Sequence, residues 1–140
     1  IHEPDMIVPC LWIHGTFFRC ASNGAPLLSL WVALHEGRVV GTIGLSKIDD
    51  NSAFLRHLFV SKGHRGANGV SGKLLEKALE MAKARKYTFL YLGTMEQFKA
   101  AQSFYDKNRF VRIPLEVLPG QMPVSPMDTI FYQWIITEKR

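Results

Sequence analysis

The sequence predicts an α/β (α+β) domain built on one mixed sheet, and three observations carry that prediction. Residues 29–60 hold three β-rich apolar runs separated by turn signals. Residues 69–86 and 96–108 repeat apolar positions at helical spacing, with a β-rich run between them. Two more short β-rich runs follow, at 110–113 and 128–137. Strands, helix, strand, helix, strand, strand is the order of helices packed on a sheet of mixed direction.

The first 27 residues are the hardest to read, because Pro4, Pro9 and Pro26 break any long element. Leu11 to Phe18 is apolar without a clean period, which points to a short helix or a mobile flap. From Ser29 the pattern sharpens. SLWVALHEGRVVGTIGLSKI is two apolar runs joined by Glu36-Gly37-Arg38, a hairpin signature. Asp49-Asp50-Asn51-Ser52 is a turn cluster, and AFLRHLFV after it is a third strand of the same antiparallel meander. Val70, Leu74, Leu75, Ala78, Leu79 and Ala82 then line one face of a helix whose other face carries Lys73, Glu76, Lys77, Glu80 and Lys83. YTFLYLGT reads as a strand buried on both faces, EQFKAAQSFYDKN as a helix, and FVRI and DTIFYQWIIT as strands. The prolines of LEVLPGQMPVSPM, between these last two, forbid regular structure.

Composition narrows the class. The chain has 140 residues, of which 47% are hydrophobic and 21% charged, as expected of one domain with a single core. The longest apolar stretch, around residues 26–34, is far short of the roughly 20 residues a membrane-spanning helix needs. Cys10 and Cys20 show no metal-ligand spacing, and no charged-then-apolar leader is visible. Reduced thiols in a cytoplasmic protein are therefore the expectation, with no metal site. Seventeen basic against twelve acidic residues give a net charge of +5, which favours an anionic partner without identifying it. A nucleic-acid surface would interleave Lys and Arg with exposed aromatics, whereas here the basic residues scatter among acids.

The stretch HRGANGVSGKLL, residues 64–75, joins the third strand to the first helix and spends three glycines doing so. Such a loop is either a tight connection needing positive φ or an anion cradle. In the second case bare backbone amides and the positive end of a helix hold a phosphate, with Arg65 adding a charge-assisted bond. Neither the nucleotide P-loop nor the G-x-G-x-x-G spacing is present.

The residues VSKGHRGANGVSGKLL resemble the acetyl-CoA loop of the GNAT superfamily of N-acetyltransferases. There a strand ending in Val is followed five residues later by Gln/Arg-x-x-Gly-x-Gly/Ala and a helix opening on a Leu pair. Val60 and Arg65 have that offset, Gly69 and Ser71 fit the small positions, and Leu74 and Leu75 are the pair. One extra residue stands between Arg65 and Gly69. TMEQFKAAQSFYDKNRF is similar to the family's second signature, with Thr94, Ala101, Phe104, Tyr105, Lys107 and Phe110 in register. Phe98 stands where the family often has Asn, with Gln97 beside it as a substitute, and Arg109 stands where it has Gly. LPGQMPVSPMDTIFY resembles the Pro-rich loop and Asp-Thr-x-Phe-Tyr strand of some bacterial members. The resemblance spans about residues 29–136.

The resemblance implies a mostly antiparallel central sheet flanked by helices and one acyl-CoA N-acyltransferase domain over residues 1–140. Its N-terminal part is shorter than the strand and two helices that usually precede the hairpin. It also implies acetyl-CoA as the acyl donor and a primary amine of a small molecule or peptide as acceptor. The cofactor would lie against Leu58, Phe59 and Val60, the loop Arg65, Gly66, Ala67, Asn68, Gly69, Val70, Ser71 and Gly72, and Gln97, Phe98, Ala101 and Phe104. Tyr105 matches the helix-borne Tyr that donates a proton to the leaving sulfur, a role a phenol with a pKa near 10 suits; packing in a core stripe explains it as well. His57 is the candidate base, titrating in the right range. Strand alternation puts it with Leu55 and Phe59, so a partly buried structural His remains open. Trp12, Phe17 and Phe18 fit an acceptor pocket or the core equally. Membrane and nucleic acid are not expected as partners, and a homodimer is open. A domain of this fold that senses acyl-CoA without turnover is the alternative function.

Overall fold

The computed structural model describes residues 6–9, 12–13, 16–17, 27–61, 63, 69–120 and 122–136. Nine strands and two helices follow in chain order among these residues: β1 (Met6–Pro9), β2 (Trp12–Ile13), β3 (Thr16–Phe17), β4 (Leu27–His35), β5 (Arg38–Lys47), β6 (Ser52–Val60), α1 (Val70–Ala84), β7 (Phe89–Thr94), α2 (Lys99–Lys107), β8 (Val111–Ile113) and β9 (Ile130–Ile135). Seven strands form one sheet in the order β1-β4-β5-β6-β7-β9-β8, while β2 and β3 pair separately. Every neighbour in the large sheet is antiparallel except β6 and β7, which α1 links as a crossover. The mixed, mostly antiparallel sheet expected from the sequence is present.

Local chemistry sets the order of pairing. Glu36 and Gly37, with φ of 52° and 77°, form the two-residue turn between His35 and Arg38, in the positive-φ pair that matches strand twist. At the next turn Asn51 N–H donates to Asp49 Oδ1 over 2.9 Å, and Asn51 O accepts from the N–H groups of Thr88 and Phe89, which starts β7 alongside β6. The N-terminal expectation is corrected. Met6–Pro9 is a strand paired with β4 and the pieces that follow are a two-stranded ribbon, because β4 offers an open edge that Ile7 and Val8 can join. The prolines after β8 leave room for a 3-10 turn at Leu115–Val117, before the first of them that could interrupt it.

α1 buries Val70, Leu74, Leu75, Ala78 and Ala82 against β4, β5 and β6. At about 1.5–3 kcal/mol for each large apolar side chain removed from water, this face anchors the helix. Gly41 permits the approach, since a Cβ there would lie 3.0 Å from Leu74 Cδ1 and 3.1 Å from Phe59 O. A smaller cluster of Phe54, Tyr91 and Met122 covers the opposite face beneath the chain that links β8 to β9. No helix among the described residues is long and apolar enough to cross a membrane.

Both helices end in the same device. Tyr87 N–H reaches Ala82 O and Lys86 N–H reaches Lys83 O after α1; Phe110 N–H reaches Tyr105 O after α2. Lys86 and Arg109 hold the left-handed position, at φ of 65° and 74°. These are Schellman closures, and the second carries its hydrophobic contact, with the Phe110 and Tyr105 rings 5.6 Å apart. A non-glycine residue in that conformation costs about 1 kcal/mol. Arg109→Gly is therefore expected to raise stability by about 1 kcal/mol, read from the urea unfolding midpoint at unchanged slope.

Candidate active site

The parallel pair β6–β7 is short. Its register covers Ser52↔Phe89, Ala53↔Leu90 and Phe54↔Tyr91 and then stops. Beyond it β6 continues along β5 to Val60, and β7 continues along β9 to Thr94. The C-terminal halves of the two strands part, and a cleft opens between them at the end of the sheet where ligands of open α/β sheets bind.

A bulge shapes the β6 wall of this cleft. Thr42 pairs with Phe59 and Gly44 with Arg56, so β6 carries one residue more than β5 across that interval. His57 takes up the excess at φ 57°, and Thr42 Oγ1 donates to its carbonyl over 2.6 Å. The alternation expected for His57 with Leu55 and Phe59 is thereby broken. Leu55 is buried, His57 is exposed, and Phe59 is 52% exposed while Val60 returns to the core. Partial desolvation, reinforced by the neighbouring Arg56 guanidinium, lowers the pKa of His57 and keeps its imidazole neutral at pH 7.

On the other side of β6 the chain enters α1 through Gly69, at φ 76° and ψ 8°. Among the described residues no side chain caps this end, and the first turn carries no acidic residue. The N–H groups of the opening turn and the positive end of the helix dipole are therefore available to an anion. Ser71 is half-buried, and a Cβ added at Gly72 would meet nothing within 4 Å, so a ligand can approach the backbone. Val70 is fully buried, so its side chain serves the core. Arg65, Gly66, Ala67 and Asn68 lie outside the described residues.

α2 carries the second group of candidate residues. Tyr105 is 6% exposed and sits among the rings of Phe104, Phe110 and Tyr132. Its hydroxyl bonds no other described residue. Burial first, then the proximity of Tyr132 and of the Asp128 charge, pushes its pKa well above the ordinary 10.0, so the phenol stays protonated. Ala101 and Phe104 are half-buried, whereas Gln97 and Phe98 are exposed at the helix entrance. Phe98 leaves 51% of its surface in solvent, an unusual position for a large aromatic and one a ligand could cover.

Two residues of this region escaped the sequence reading. Gln102 is 4% exposed and ties the β7–α2 turn down, its Nε2 donating to Met95 O over 3.1 Å and Glu96 O over 2.9 Å. Its Oε1 accepts from Arg112, whose Nε reaches the Tyr132 hydroxyl. A glutamine inside the apolar stripe of Phe98, Ala101 and Tyr105 was the available signal. The second is Asp128, just before β9. Its Oδ2 lies 2.9 Å from where a Gly93 Cβ would stand, and Thr129 N–H donates to Thr94 O over 3.1 Å. Desolvation raises the Asp128 pKa above its ordinary value. The Asp-Thr-x-Phe-Tyr pattern marked the position without its role.

A short parallel pair that parts beside a bulged strand, with an uncapped helix start on one side and a buried Tyr on the other, agrees with the relationships of the chain. Residues 6–110 match the acetyltransferase (GNAT) family. The chain belongs to that family. It is similar to an acetyltransferase of the GNAT family from Staphylococcus aureus Mu50, with 35% identity, a TM-score of 0.75, and coverage of 78% of this chain and 68% of that one. A Bacillus anthracis acetyltransferase solved in complex with acetyl coenzyme A shares 27% identity at a TM-score of 0.64, covering 81% of this chain and 65% of that one. The N-acetylaspartate synthetase of Danio rerio is 35% identical over 107 residues, which is 74% of this chain but 37% of that relative's length.

The bulge gives a prediction separate from any catalytic role. His57→Gly should leave stability within about 0.5 kcal/mol, since glycine accepts the left-handed conformation, whereas His57→Val should cost about 1–2 kcal/mol in thermal or urea unfolding.

Proposed function

We propose that this chain transfers the acetyl group of acetyl-CoA to a primary amine of a small molecule or peptide by direct attack, within the cytoplasm. The observation that supports it most is the cleft between β6 and β7, bordered by an uncapped helix start and by a protonated Tyr105 in a chain of this family. Acetyl-CoA supplies a thioester, an acyl donor activated towards an amine.

The residues fit such a donor. The amides of Gly69, Val70, Ser71 and Gly72, with Arg65, Gly66, Ala67 and Asn68 before them, suit a diphosphate because that charge needs N–H donors and a positive dipole. The backbone of Leu58, Phe59 and Val60 forms the β6 wall along which an extended pantetheine arm can pair. Gln97, Phe98, Ala101 and Phe104 cover its other side, the exposed rings of Phe59 and Phe98 gaining most by burial. Tyr105 gives its proton to the departing sulfur. Burial that raises its pKa weakens it as an acid, but it also keeps the proton in place until the sulfur acquires charge. His57, neutral at pH 7, is one group able to take the proton that the amine loses.

Incubation with acetyl-CoA and a panel of primary amines, followed by free-thiol release, tests the reading. Turnover with at least one amine is expected. Tight CoA binding without any thiol release would favour a sensor domain of the same fold instead. Tyr105→Phe should lower kcat about 100-fold while the calorimetric affinity for CoA stays within about twofold. Because the phenol remains protonated above its ordinary 10.0, no loss of rate from Tyr105 ionisation is expected on raising the pH to 9.5.

A further inference from the structure

Only two of the nine residues of α2 are buried, Gln102 and Tyr105, and their spacing puts them on one face. An amide is an unusual choice for half of that face, because burying it is costly unless its polar atoms find partners. Those of Gln102 do. Its Nε2 donates to Met95 O over 3.1 Å and to Glu96 O over 2.9 Å, and its Oε1 accepts from Arg112 Nη2 over 3.1 Å. Two carbonyls that only accept and a guanidinium that only donates leave the amide one orientation. Arg112 Nε donates to the Tyr132 hydroxyl over 3.1 Å, and that hydroxyl donates back to Gln102 O over 3.4 Å, which closes a ring through α2, β8 and β9. The Tyr132 ring lies 5.3 Å from that of Tyr105. Tyr105 has no hydrogen bond of its own to a described residue, so its phenol points where its neighbours and the α2 backbone set it. Apolar contact alone would hold α2 without fixing its rotation or its slide, since such contact is non-directional. Bonds to Met95 and Glu96, on the chain that leads from β7 into α2, fix both.

We propose that Gln102 is a positioning residue for Tyr105: by bonding the two carbonyls that lead from β7 into α2, it sets where the phenol stands relative to the thioester. This rests on the acetyl-transfer reading and names the residue that aims its acid. Gln102 touches neither cofactor nor acceptor in this role, and it moves no proton. Its effect falls on the transition state, because proton donation is steep in distance and a misplacement of about 1 Å can cost about 100-fold. The β6 wall and the start of α1 do not depend on these bonds, so the hold on the cofactor is left largely as it was.

The experiment is a double-mutant cycle on the whole chain, following thiol release from acetyl-CoA with spermidine, phenethylamine and a lysine-bearing tetrapeptide as acceptor probes. Gln102→Met keeps the length of the side chain but not its amide. It should lower kcat about tenfold and leave KM for acetyl-CoA within about twofold. In the Tyr105→Phe background the same substitution should change kcat by less than about twofold, because no phenol is left to aim. An equal loss in both backgrounds is what a merely structural glutamine gives, and it would overturn the proposal. So would retention of more than half of kcat in Gln102→Met, or a rise in KM in proportion to the fall in kcat. Arg112→Leu, at an exposed position, breaks the same ring from outside and should lower kcat about threefold, again only where Tyr105 is present. If Gln102→Met does not fold, this second cycle decides: a loss confined to the Tyr105 background supports the assignment, and no loss or an equal loss overturns it. Thiol release unchanged by Tyr105→Phe would remove the acid and this proposal while acetyl transfer stands. If the unaltered protein binds CoA but releases no thiol with any probe, acetyl transfer itself falls, and this assignment with it.

Discussion

The rest of the molecule is arranged around a pairing that stops after three residues. Parallel strands β6 and β7 share a register only from Ser52 to Phe54 and from Phe89 to Tyr91. Each is then held by its outer neighbour alone, β6 by β5 and β7 by β9. Were they to run on together, the sheet would be continuous and there would be no place between them for a substrate. Their separation opens one end of a packed sheet without opening its core, because Leu90, Leu92 and Val60 remain buried on the helix side.

Several local features serve that separation. The bulge at His57 adds a residue to β6 and turns Phe59 outward while Val60 turns back to the core. On the β7 side, the Gln102 amide gathers the carbonyls of Met95 and Glu96, so α2 starts at a fixed distance from the strand end. Gln102, Arg112 and Tyr132 continue this as a connected polar chain in a largely apolar setting. Such networks are costly when incomplete and rigid when satisfied. Here the network ties α2, β8 and β9 together around Tyr105. The Schellman closure at Arg109 folds Phe110 back onto the same ring. Tyr105 is thus both a core side chain and a candidate proton donor, and the two readings that its sequence context left open are compatible.

Much of this was legible beforehand, and the exceptions share a cause. The hairpin, the meander, both helices and the last strands follow from periodicity and turn chemistry, which act over a few residues. The N-terminal strand did not, because Met6–Pro9 is short and proline-bounded and is a strand only by virtue of the edge that β4 presents. His57 was placed by alternation, and a single bulged residue defeats alternation, since one inserted position reverses every side chain beyond it. Gln102 and Asp128 were visible as letters. Their setting depends on partners elsewhere in the chain: Met95 and Arg112 for one, Gly93 for the other.

The sequence by itself determined the class of sheet, the order of its elements and, through two spaced motifs, the family and the glycine-rich start of the first helix. Those properties rest on local patterns of apolar, turn and glycine residues. The tertiary structure alone decided where β6 leaves β7, which way His57 and Phe59 face, and that Asp128 packs against Gly93. These depend on register and on burial, which no short window of sequence contains: desolvation of a carboxylate or a phenol is set by whatever the fold brings against it from elsewhere in the chain.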